Sequence, residues 1–217
     1  MIYTVGGIKG GGGKTTIATN LAIWLGRKGC DVLLVDADEQ ETATDFTIFR
    51  EQTLGGEIGY TAVKLTGGAV RSQVAKLREK YDHVVIDTGG RDTTSQRAAL
   101  VVSDVYLVPF NPRSFDIWTL HKVRNLLGEI RAVRPEGLKA YCFLNRADPR
   151  GTDNDEAAAL LADAEGIAYL PHPVINRKAF SHSAGRGLGV MELVPPDEKA
   201  TAEINLLFQT IHPDQNR

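Results

Sequence analysis

A run of glycines followed by a lysine and two threonines stands near the start of the chain. Residues 6–16 read GGIKGGGGKTT, and glycines, which lack a Cβ, let several backbone N–H groups converge on one anion. A helix that begins at Lys14 would point the positive end of its dipole at the same anion. We therefore predict a phosphate-binding loop over Lys9–Thr16, in which Lys14 reaches the terminal phosphates and the Thr15 hydroxyl is a ligand of Mg²⁺. The predicted phosphate contacts are Gly10, Gly11, Gly12, Gly13, Lys14, Thr15 and Thr16.

Carboxylates follow two apolar segments that have the length of buried strands. Asp36 and Asp38 follow Val32–Val35, and Asp87 follows Val84–Ile86. An acidic residue at the end of a buried strand loses hydration unless a cation, a water or a backbone N–H replaces it. The sequence thus predicts that these carboxylates face the phosphate loop and Mg²⁺, with the alternative that one of them caps a helix.

Short apolar segments alternate with helical ones along the chain. The segments are apolar throughout, as strands of a parallel sheet with both faces covered are, so we predict an α/β fold with a doubly wound, mostly parallel sheet flanked by helices. The predicted strands are Ile2–Val5, Asp31–Val35, His83–Ile86, Val105–Val108 and Ala140–Leu144. The predicted helices are Lys14–Lys28, Gly68–Lys80, Thr93–Val102, Ile117–Val133 and Asp153–Ala164. No linker or repeat interrupts residues 1–217, so we expect one domain.

The phosphate loop departs from the commonest pattern at one position. Ile8 stands where G-x-x-x-x-G-K-[ST] has its first glycine, while Lys9–Thr16 fits the variant K-G-G-x-G-K-T-T. In this the chain resembles the ParA/MinD family of P-loop ATPases, and within it the small ParF-like partition proteins. The resemblance implies a P-loop fold of the SIMIBI type, Mg²⁺-dependent hydrolysis of ATP and a sandwich homodimer in the ATP state. It also implies that Lys9 reaches the nucleotide phosphates of the other subunit, where a cation would offset charge that develops during phosphoryl transfer.

The same resemblance implies roles for the acidic residues. Asp36 and Asp87 would lie near the metal, Asp38 would orient the hydrolytic water, and Gly89-Gly90 would belong to a segment that moves when the γ-phosphate leaves. Glu39 stands where the family pattern D-x-D-P-Q has proline, a departure that bears on the geometry of the loop and on the hydrolysis rate. The predicted catalytic residues are therefore Lys9, Lys14 and Asp38.

Two positions late in the chain resemble the adenine-binding residues of the family. Asn145 ends a predicted strand where relatives place an amide that contacts adenine, and Pro173 lies in a segment that resembles the loop closing over the base. A strand-end asparagine is also a common turn former, so both interpretations of Asn145 stay open. Another segment resembles a family strand end, namely Val105–Pro109 with Pro112, Ser114 and Asp116.

The overall charge limits how the protein can bind nucleic acid. A formal net charge of −2 and a pI of about 6.2 exclude a protein that coats DNA by bulk positive charge, so DNA contact requires a local patch. A stretch that resembles the DNA-contacting region of small ParA proteins supplies basic residues, aided by a neighbouring loop. The predicted DNA contacts are Arg177, Lys178, Arg186, Arg146 and Arg150. For each of them a solvated charged surface is the alternative, and Lys122, Arg124, Arg131 and Arg134 form a rival patch on a helix with ordinary amphipathic spacing.

Membership of this family would leave the output of the ATPase open, because fold does not decide function. We favour a cytoplasmic, nucleoid-associated partition or positioning protein. Its ATP-bound homodimer would bind DNA nonspecifically and be released when a ParB-like or other cargo adaptor stimulates hydrolysis. The cargo stays open between a plasmid, a chromosome region and a protein assembly.

Two alternatives remain. A MinD-like membrane-associated ATPase needs an amphipathic C-terminal helix with basic flanks; residues 199–211 have an apolar face but a single lysine, and a final helix packed on the sheet explains that face more simply. An ATP-dependent metabolic P-loop enzyme is the other alternative. Its reductase form is excluded because no paired cysteine motif exists for an iron–sulfur cluster, while an ATP-dependent ligase stays open. No apolar run reaches the ~20 residues of a membrane-spanning helix, and the first residues lack the pattern of an export signal, so we expect no membrane partner.

Overall fold

Strands and helices alternate along the part of the chain that the structure describes. The structure, a computed structural model, describes residues 1–113, 118–134, 137–150 and 153–212. Its strands are β1 (Ile2–Val5), β2 (Val32–Asp36), β3 (Thr61–Lys64), β4 (His83–Asp87), β5 (Val105–Phe110), β6 (Lys139–Ala147), β7 (Ala168–Tyr169) and β8 (Val174–Ile175). Its α-helices are α1 (Lys14–Arg27), α2 (Thr42–Leu54), α3 (Ala69–Leu77), α4 (Thr94–Val102), α5 (Leu120–Val133), α6 (Asp153–Ala162), α7 (Lys178–Ala184) and α8 (Glu198–Ile211). A 3₁₀ turn at Val190–Glu192 lies between α7 and α8.

One sheet runs through these residues. Its strand order is β3-β2-β4-β1-β5-β6-β7, with β8 paired to β6, and the pairings among these strands are parallel. The chain builds outward from the central β1 in both directions, and the crossover helices cover both faces. The predicted doubly wound, mostly parallel α/β fold is therefore confirmed.

Alternation of side chains along each strand divides the core between the two faces of the sheet. On one face Tyr3 and Val5 pack with residues of α1, α2, α7 and α8. On the other face Ile2 packs with α3 and α4, and Leu144 packs with α5 and α6. Because both faces are buried, the long strands are apolar throughout, and this pattern made them recognisable in the sequence.

Neither α2 nor β3 was predicted from the sequence. In α2, Ile48 and Phe49 are exposed although Phe46 on the same helix is buried, and the edge strand β3 is mostly exposed. Periodicity cannot identify elements whose apolar residues do not mark a buried face. The predicted helix at Gly68–Lys80 is also shorter in the structure, where α3 ends at Leu77.

The last helix, α8, packs its apolar face into the core. Ile204, Leu207, Phe208 and Ile211 are buried, and Phe208 meets Trp24 of α1 edge to face, with ring centroids 5.7 Å apart. Burial of each such side chain stabilises a fold by ~1.5–3 kcal/mol. The interpretation of this segment as a final helix packed on the sheet is therefore confirmed. Within the described ranges, no helix is both long enough and apolar enough to cross a membrane.

The carboxyl ends of the parallel strands bring the chemically interesting loops to one edge of the sheet. In the register of the central strands, Asp87 lies opposite Val5 of β1 on one side and opposite Asp36 of β2 on the other. The glycine run follows Val5 directly. The acidic residues and the phosphate loop, which are distant in sequence, therefore lie side by side.

Candidate active site

The glycine run forms a loop between β1 and the first turn of α1. Gly11 and Gly13 have φ values of +79° and +81°, which glycine adopts without the steric cost of a Cβ. Gly13 is the N-cap residue of α1, and no side chain caps the helix at this end. The first N–H groups of α1 therefore remain available to a ligand, and an anion placed there would also meet the positive end of the helix dipole.

The two lysines of the loop occupy different environments. Lys14 is the first residue of α1 and is buried, and its Nζ donates to the carbonyl oxygen of Lys9 at 2.9 Å. The residue Lys9 is exposed on the outside of the same loop. A buried ammonium is stable only with acceptors around it, so Lys14 is positioned to receive phosphate oxygens from a bound ligand, and Lys9 is accessible to a second molecule.

Asp87 is a buried carboxylate that the protein leaves without hydrogen bonds. At the end of β4, neither of its oxygens has a hydrogen-bond partner among the described residues. Burial raises the pKa of Asp87 to about 7, and the nearby charges of Asp36 and Asp38 also raise it. Lys14 and the Thr15 hydroxyl lower this pKa, although the hydroxyl lies outside hydrogen-bond geometry. Open carboxylate lone pairs beside a hydroxyl suit a hard divalent cation such as Mg²⁺.

Asp36, in contrast, is engaged by the loop that joins β2 to α2. Its Oδ1 accepts a hydrogen bond from the Asp38 amide at 3.1 Å, and its Oδ2 accepts from both the amide and the hydroxyl of Thr44 at 2.8 Å. Thr44 lies in the first turn of α2, so Asp36 satisfies a helix N–H, the capping alternative left open above. The observed effect of Asp36 is to fix the geometry of this loop through its hydrogen bonds with Asp38 and Thr44. The metal contact of Asp36 stays a prediction.

Asp38 packs against the glycine pair that follows β4. A Cβ built on Gly89 would lie 2.9 Å from Asp38 Oδ1, and a Cβ built on Gly90 would lie 2.5 Å from the backbone nitrogen of Gly10. Asp38 Oδ1 also accepts a hydrogen bond from the Gln40 amide at 3.2 Å. A larger residue at Gly89 would displace Asp38, and a larger residue at Gly90 would displace the phosphate loop. The glycine pair therefore fits closely between the Asp38 side chain and the phosphate loop.

These elements surround an open cavity of about 530 Å³ at the carboxyl edge of the sheet. Its volume is within the ~300–1,000 Å³ of typical small-molecule sites. Gly10, Gly11 and residues 13–16 of the predicted phosphate loop line it with Asp38, together with residues that were not selected from the sequence. These additional residues are Ala37, Glu39, Gln40, Thr42, Arg91, Thr93 and Ser95.

Comparison with known sequences agrees with this geometry. Residues 3–190 match the sequence model of the CobQ/CobB/MinD/ParA nucleotide binding domain, a span that includes the glycine loop, the three aspartates and Asn145. The chain belongs to the ParA/MinD family of P-loop ATPases. It is accordingly an ATPase by family, and the resemblance inferred from Lys9–Thr16 is confirmed.

Named relatives of this ParA/MinD protein include two called "Maintenance of carboxysome distribution protein A" (McdA). The protein from Halothiobacillus neapolitanus is 26% identical over 96% of this chain and 95% of its own length. The one from Gloeobacter kilaueensis is 31% identical over 85% of this chain and 81% of its own length. Cyanothece McdA has the same fold: its nucleotide-free structure superposes with a TM-score of 0.80 at 18% identity, covering 95% of this chain and 98% of that one. An ATP complex of a substituted Cyanothece McdA superposes with a TM-score of 0.78 at 15% identity, covering 95% of each chain.

At the other end of the cavity, β6 approaches the phosphate loop of this ParA/MinD protein. Asn145 is buried, and its Nδ2 donates to the carbonyl oxygen of Gly12 at 2.7 Å. Pro173 directly precedes Val174, the register partner of Asn145 in β8, so the proline belongs to the same end of the site. The amide of Asn145 thus supports the phosphate loop, and the adenine contacts of Asn145 and Pro173 stay predictions.

The predicted DNA-binding residues occupy three different settings. Arg177 donates from Nε and Nη2 to Glu203 Oε1 at 3.0 and 2.6 Å, so its charge is partnered within the fold. Lys178, Arg186 and Arg150 are exposed. Arg146 is exposed as well, and it also lines the cavity beside the phosphate loop. The exposed residues therefore suit a phosphate backbone better than Arg177 does.

One contribution to the site carries no recognisable sequence signal: Thr44 shapes the Asp36–Asp38 loop from a helix that periodicity did not reveal. Gly90, which the sequence did single out, follows β4 and touches Gly10 of the phosphate loop. The motif with Ser114 and Asp116 lies outside the described residues.

Proposed function

We propose that this chain is an ATP-hydrolysing positioning protein that acts as an ATP-dependent homodimer on DNA. The observation that carries the proposal is the cavity itself. The phosphate loop and the uncapped end of α1 line the cavity. Asp87, with its two unpartnered oxygens, is buried beside Val5, the strand end from which that loop starts. This combination supports a nucleoside triphosphate with Mg²⁺ as the ligand.

The roles of the residues follow from their positions. Lys14 and the loop amides would bind the β- and γ-phosphates, while Thr15 and Asp87 would hold Mg²⁺. When bound, Mg²⁺ supplies positive charge that offsets the charge on the terminal phosphates. Asp38, which lies beside Gly89 and is hydrogen-bonded to Asp36 through its backbone amide, would orient a water at the γ-phosphate.

Homodimer formation is supported by the exposure of Lys9 on the open side of the site. An exposed lysine in this loop could reach the phosphates of a nucleotide held by a second copy. Such a contact exists only while the triphosphate is present, so hydrolysis would dissolve the dimer. The oligomeric state would therefore depend on which nucleotide is bound.

DNA binding is supported by basic residues on the surface of the protein. Lys178, Arg186 and Arg150 supply exposed positive charge, and a dimer would double it on one assembly. We infer a cytoplasmic, nucleoid-associated protein whose hydrolysis is stimulated by a cargo adaptor. The relatives named for carboxysome distribution favour a protein compartment as the cargo over a plasmid.

The experiment that tests the proposal measures duplex DNA binding with ATP, with ADP and without nucleotide across a salt series. We expect binding selective for the ATP state whose affinity falls steeply with salt, because counterions are released from the phosphates that the protein neutralises. Sedimentation of the same samples should show the dimer only with ATP.

Other results would redirect the assignment. Binding to anionic liposomes in place of DNA would support the MinD-like alternative, which the burial of the apolar face of α8 disfavours. Turnover that requires a small acid or amine would support the metabolic alternative. Absence of any adenine nucleotide affinity in the wild-type chain would overturn the proposal as a whole.

A further inference from the structure

Arg146 occupies an irregularity in the pairing of β6 with β8. Asn145 pairs with Val174 and Ala147 pairs with Ile175, so Arg146 is an extra residue on its strand. Its φ is +53°, in the left-handed region that non-glycine residues enter only at a cost in free energy. Such bulges recur beside active sites, where they redirect a side chain, and a strained residue of this kind is a reason to look for a function.

The redirected side chain lies over the end of the phosphate loop. Its Nε would be 3.6 Å from a Cβ built on Gly13, and the residue lines the cavity together with Gly13 and Thr16. Although exposed, Arg146 has no hydrogen bond or ion pair with any of the described residues. The fold therefore strains its backbone to place an unpaired guanidinium at the rim of the site.

The cavity has two chemically distinct ends. Asp38, Gly89 and Gly90 lie together at one end, where the γ-phosphate would meet the water-orienting carboxylate. Arg146 lies at the other end, beside Asn145. A triphosphate bound along the loop with its γ-phosphate at Asp38 would thus direct its nucleoside toward Arg146.

We propose that Arg146 is a nucleotide-binding residue that covers the base with the plane of its guanidinium. Guanidinium groups stack on aromatic rings through cation–π attraction, and arginine does so better than lysine because its charged group is planar. A π-face is common to all bases, so this contact adds affinity without selecting adenine. The inference rests on the proposed function, since it requires a nucleotide in this cavity, and it departs from the sequence-based prediction that Arg146 binds DNA.

The test compares the wild type with Arg146→Ala, Arg146→Gly, Arg146→Lys and Arg71→Ala by calorimetric titration with Mg²⁺ and ATP, ADP, GTP or inorganic tripolyphosphate. Glycine tolerates a φ of +53°, so Arg146→Gly separates loss of the side chain from backbone strain. Arg71→Ala removes an exposed arginine of α3 and serves as the control.

We expect Arg146→Gly to weaken ATP and ADP by equal factors of about 5–30, with a similar factor for any GTP binding that the wild type shows. Tripolyphosphate binding should be unchanged, Arg146→Lys should recover little affinity, and Arg71→Ala should match the wild type. Loss of tripolyphosphate affinity, full rescue by lysine, or unchanged nucleotide affinity with weaker DNA binding would each overturn the inference. If the wild type binds no nucleotide, the proposed function fails instead.

Discussion

Arg50 and Glu192 form a two-pronged ion pair that joins α2 to the 3₁₀ turn before α8. Arg50 Nη1 and Nη2 donate to the two oxygens of Glu192 at 2.7 and 2.8 Å, and the same guanidinium donates to the carbonyl oxygens of Ile58 and Gly187. Only 4% of the Arg50 side chain and 14% of the Glu192 side chain are exposed. Because α2 begins shortly after the Asp36–Asp38 loop, this pair anchors the helix that follows that loop.

The first prediction concerns the stability that this pair provides. Glu192→Ala should lower the free energy of unfolding by about 3 kcal/mol, because it leaves the Arg50 charge buried without its partner. Glu165→Ala, which removes an exposed pair with Arg124 at 3.2 Å, should cost less than about 1 kcal/mol. Urea unfolding of both variants makes the comparison, and equal losses would contradict the structural role of the buried pair.

The same pair predicts a pH effect in the acid range. Burial alone would raise the pKa of Glu192, but hydrogen bonds from Arg50 and Gly189 hold it below its ordinary value. A lowered carboxyl pKa stabilises the fold above the unfolded pKa of about 4.5, and that contribution disappears as the pH falls through the folded pKa. The stability difference between wild type and Glu192→Gln should therefore shrink as the pH is lowered below about 4.5.

A feature of this molecule could be predicted from the sequence when the residues that indicate it lie within one short segment. Gly10–Thr16 is one continuous segment of the sequence, and the strand that ends at Asp87 is another. The chemistry of each segment follows from its residue types alone. The long strands were recognisable because a doubly covered strand is apolar at every position. Hence the sheet, the phosphate loop and the order of its carboxylates were all available from the sequence.

What the sequence could not provide were contacts that depend on distant segments. The partner of Arg177 is Glu203, one helix further along the chain, so a residue that looked like surface charge is an internal link. Arg146 looked like another basic loop residue, and only the bulge between β6 and β8 turns it toward the cavity. Thr44 lies on a helix without a clear apolar face, where pattern analysis has nothing to detect.

The second prediction tests the water-orienting role of Asp38. Asp38→Asn should lower kcat for ATP hydrolysis by at least about 100-fold, because a neutral amide oxygen holds the water more weakly than a carboxylate does. The Kd for ATP should stay within about threefold, and the ATP-dependent dimer should persist. Asp45→Asn changes an exposed acid on α2 and should behave as wild type; normal turnover in Asp38→Asn would remove the residue from the mechanism.

The third prediction separates the two lysines of the phosphate loop. Lys14→Ala removes the buried cation under the loop and should abolish measurable ATP binding. Lys9→Ala should bind ATP as a monomer within about threefold of the wild type, because its charge serves the nucleotide of another subunit, but it should form no ATP dimer in sedimentation. A dimer of Lys9→Ala that is as stable as that of the wild type would show that Lys9 does not act across the interface.

The fourth prediction distinguishes surface charge from internal charge among the basic residues. Lys178→Ala combined with Arg186→Ala should weaken DNA binding and reduce the slope of log K against log salt by about two, without lowering the thermal midpoint. Arg177→Ala should lower the thermal midpoint, because it leaves Glu203 without its partner at 2.6 Å. DNA titrations and calorimetric melting on the same preparations would reveal whether these two effects are separate, and loss of DNA affinity in Arg177→Ala alone would reverse the assignment.

The last prediction concerns the cost of keeping Asp87 buried and ready for Mg²⁺. Burial raises the pKa of Asp87 to about 7, above its ordinary value of 3.8, so the metal-free fold is favoured when the group is protonated. That contribution is complete below about pH 3.8 and is lost as the pH rises through 7. Without Mg²⁺, Asp87→Asn should therefore be more stable than the wild type at pH 8 by about 1–3 kcal/mol, with little difference at pH 4, while exposed Asp163→Asn should show no such trend. Mg²⁺ with ADP should stabilise the wild type far more than Asp87→Asn, because cation binding offsets the charge that destabilises the empty site. If the wild type and Asp87→Asn had parallel stability profiles from pH 4 to 8, the charge of Asp87 would not be what destabilises the metal-free fold.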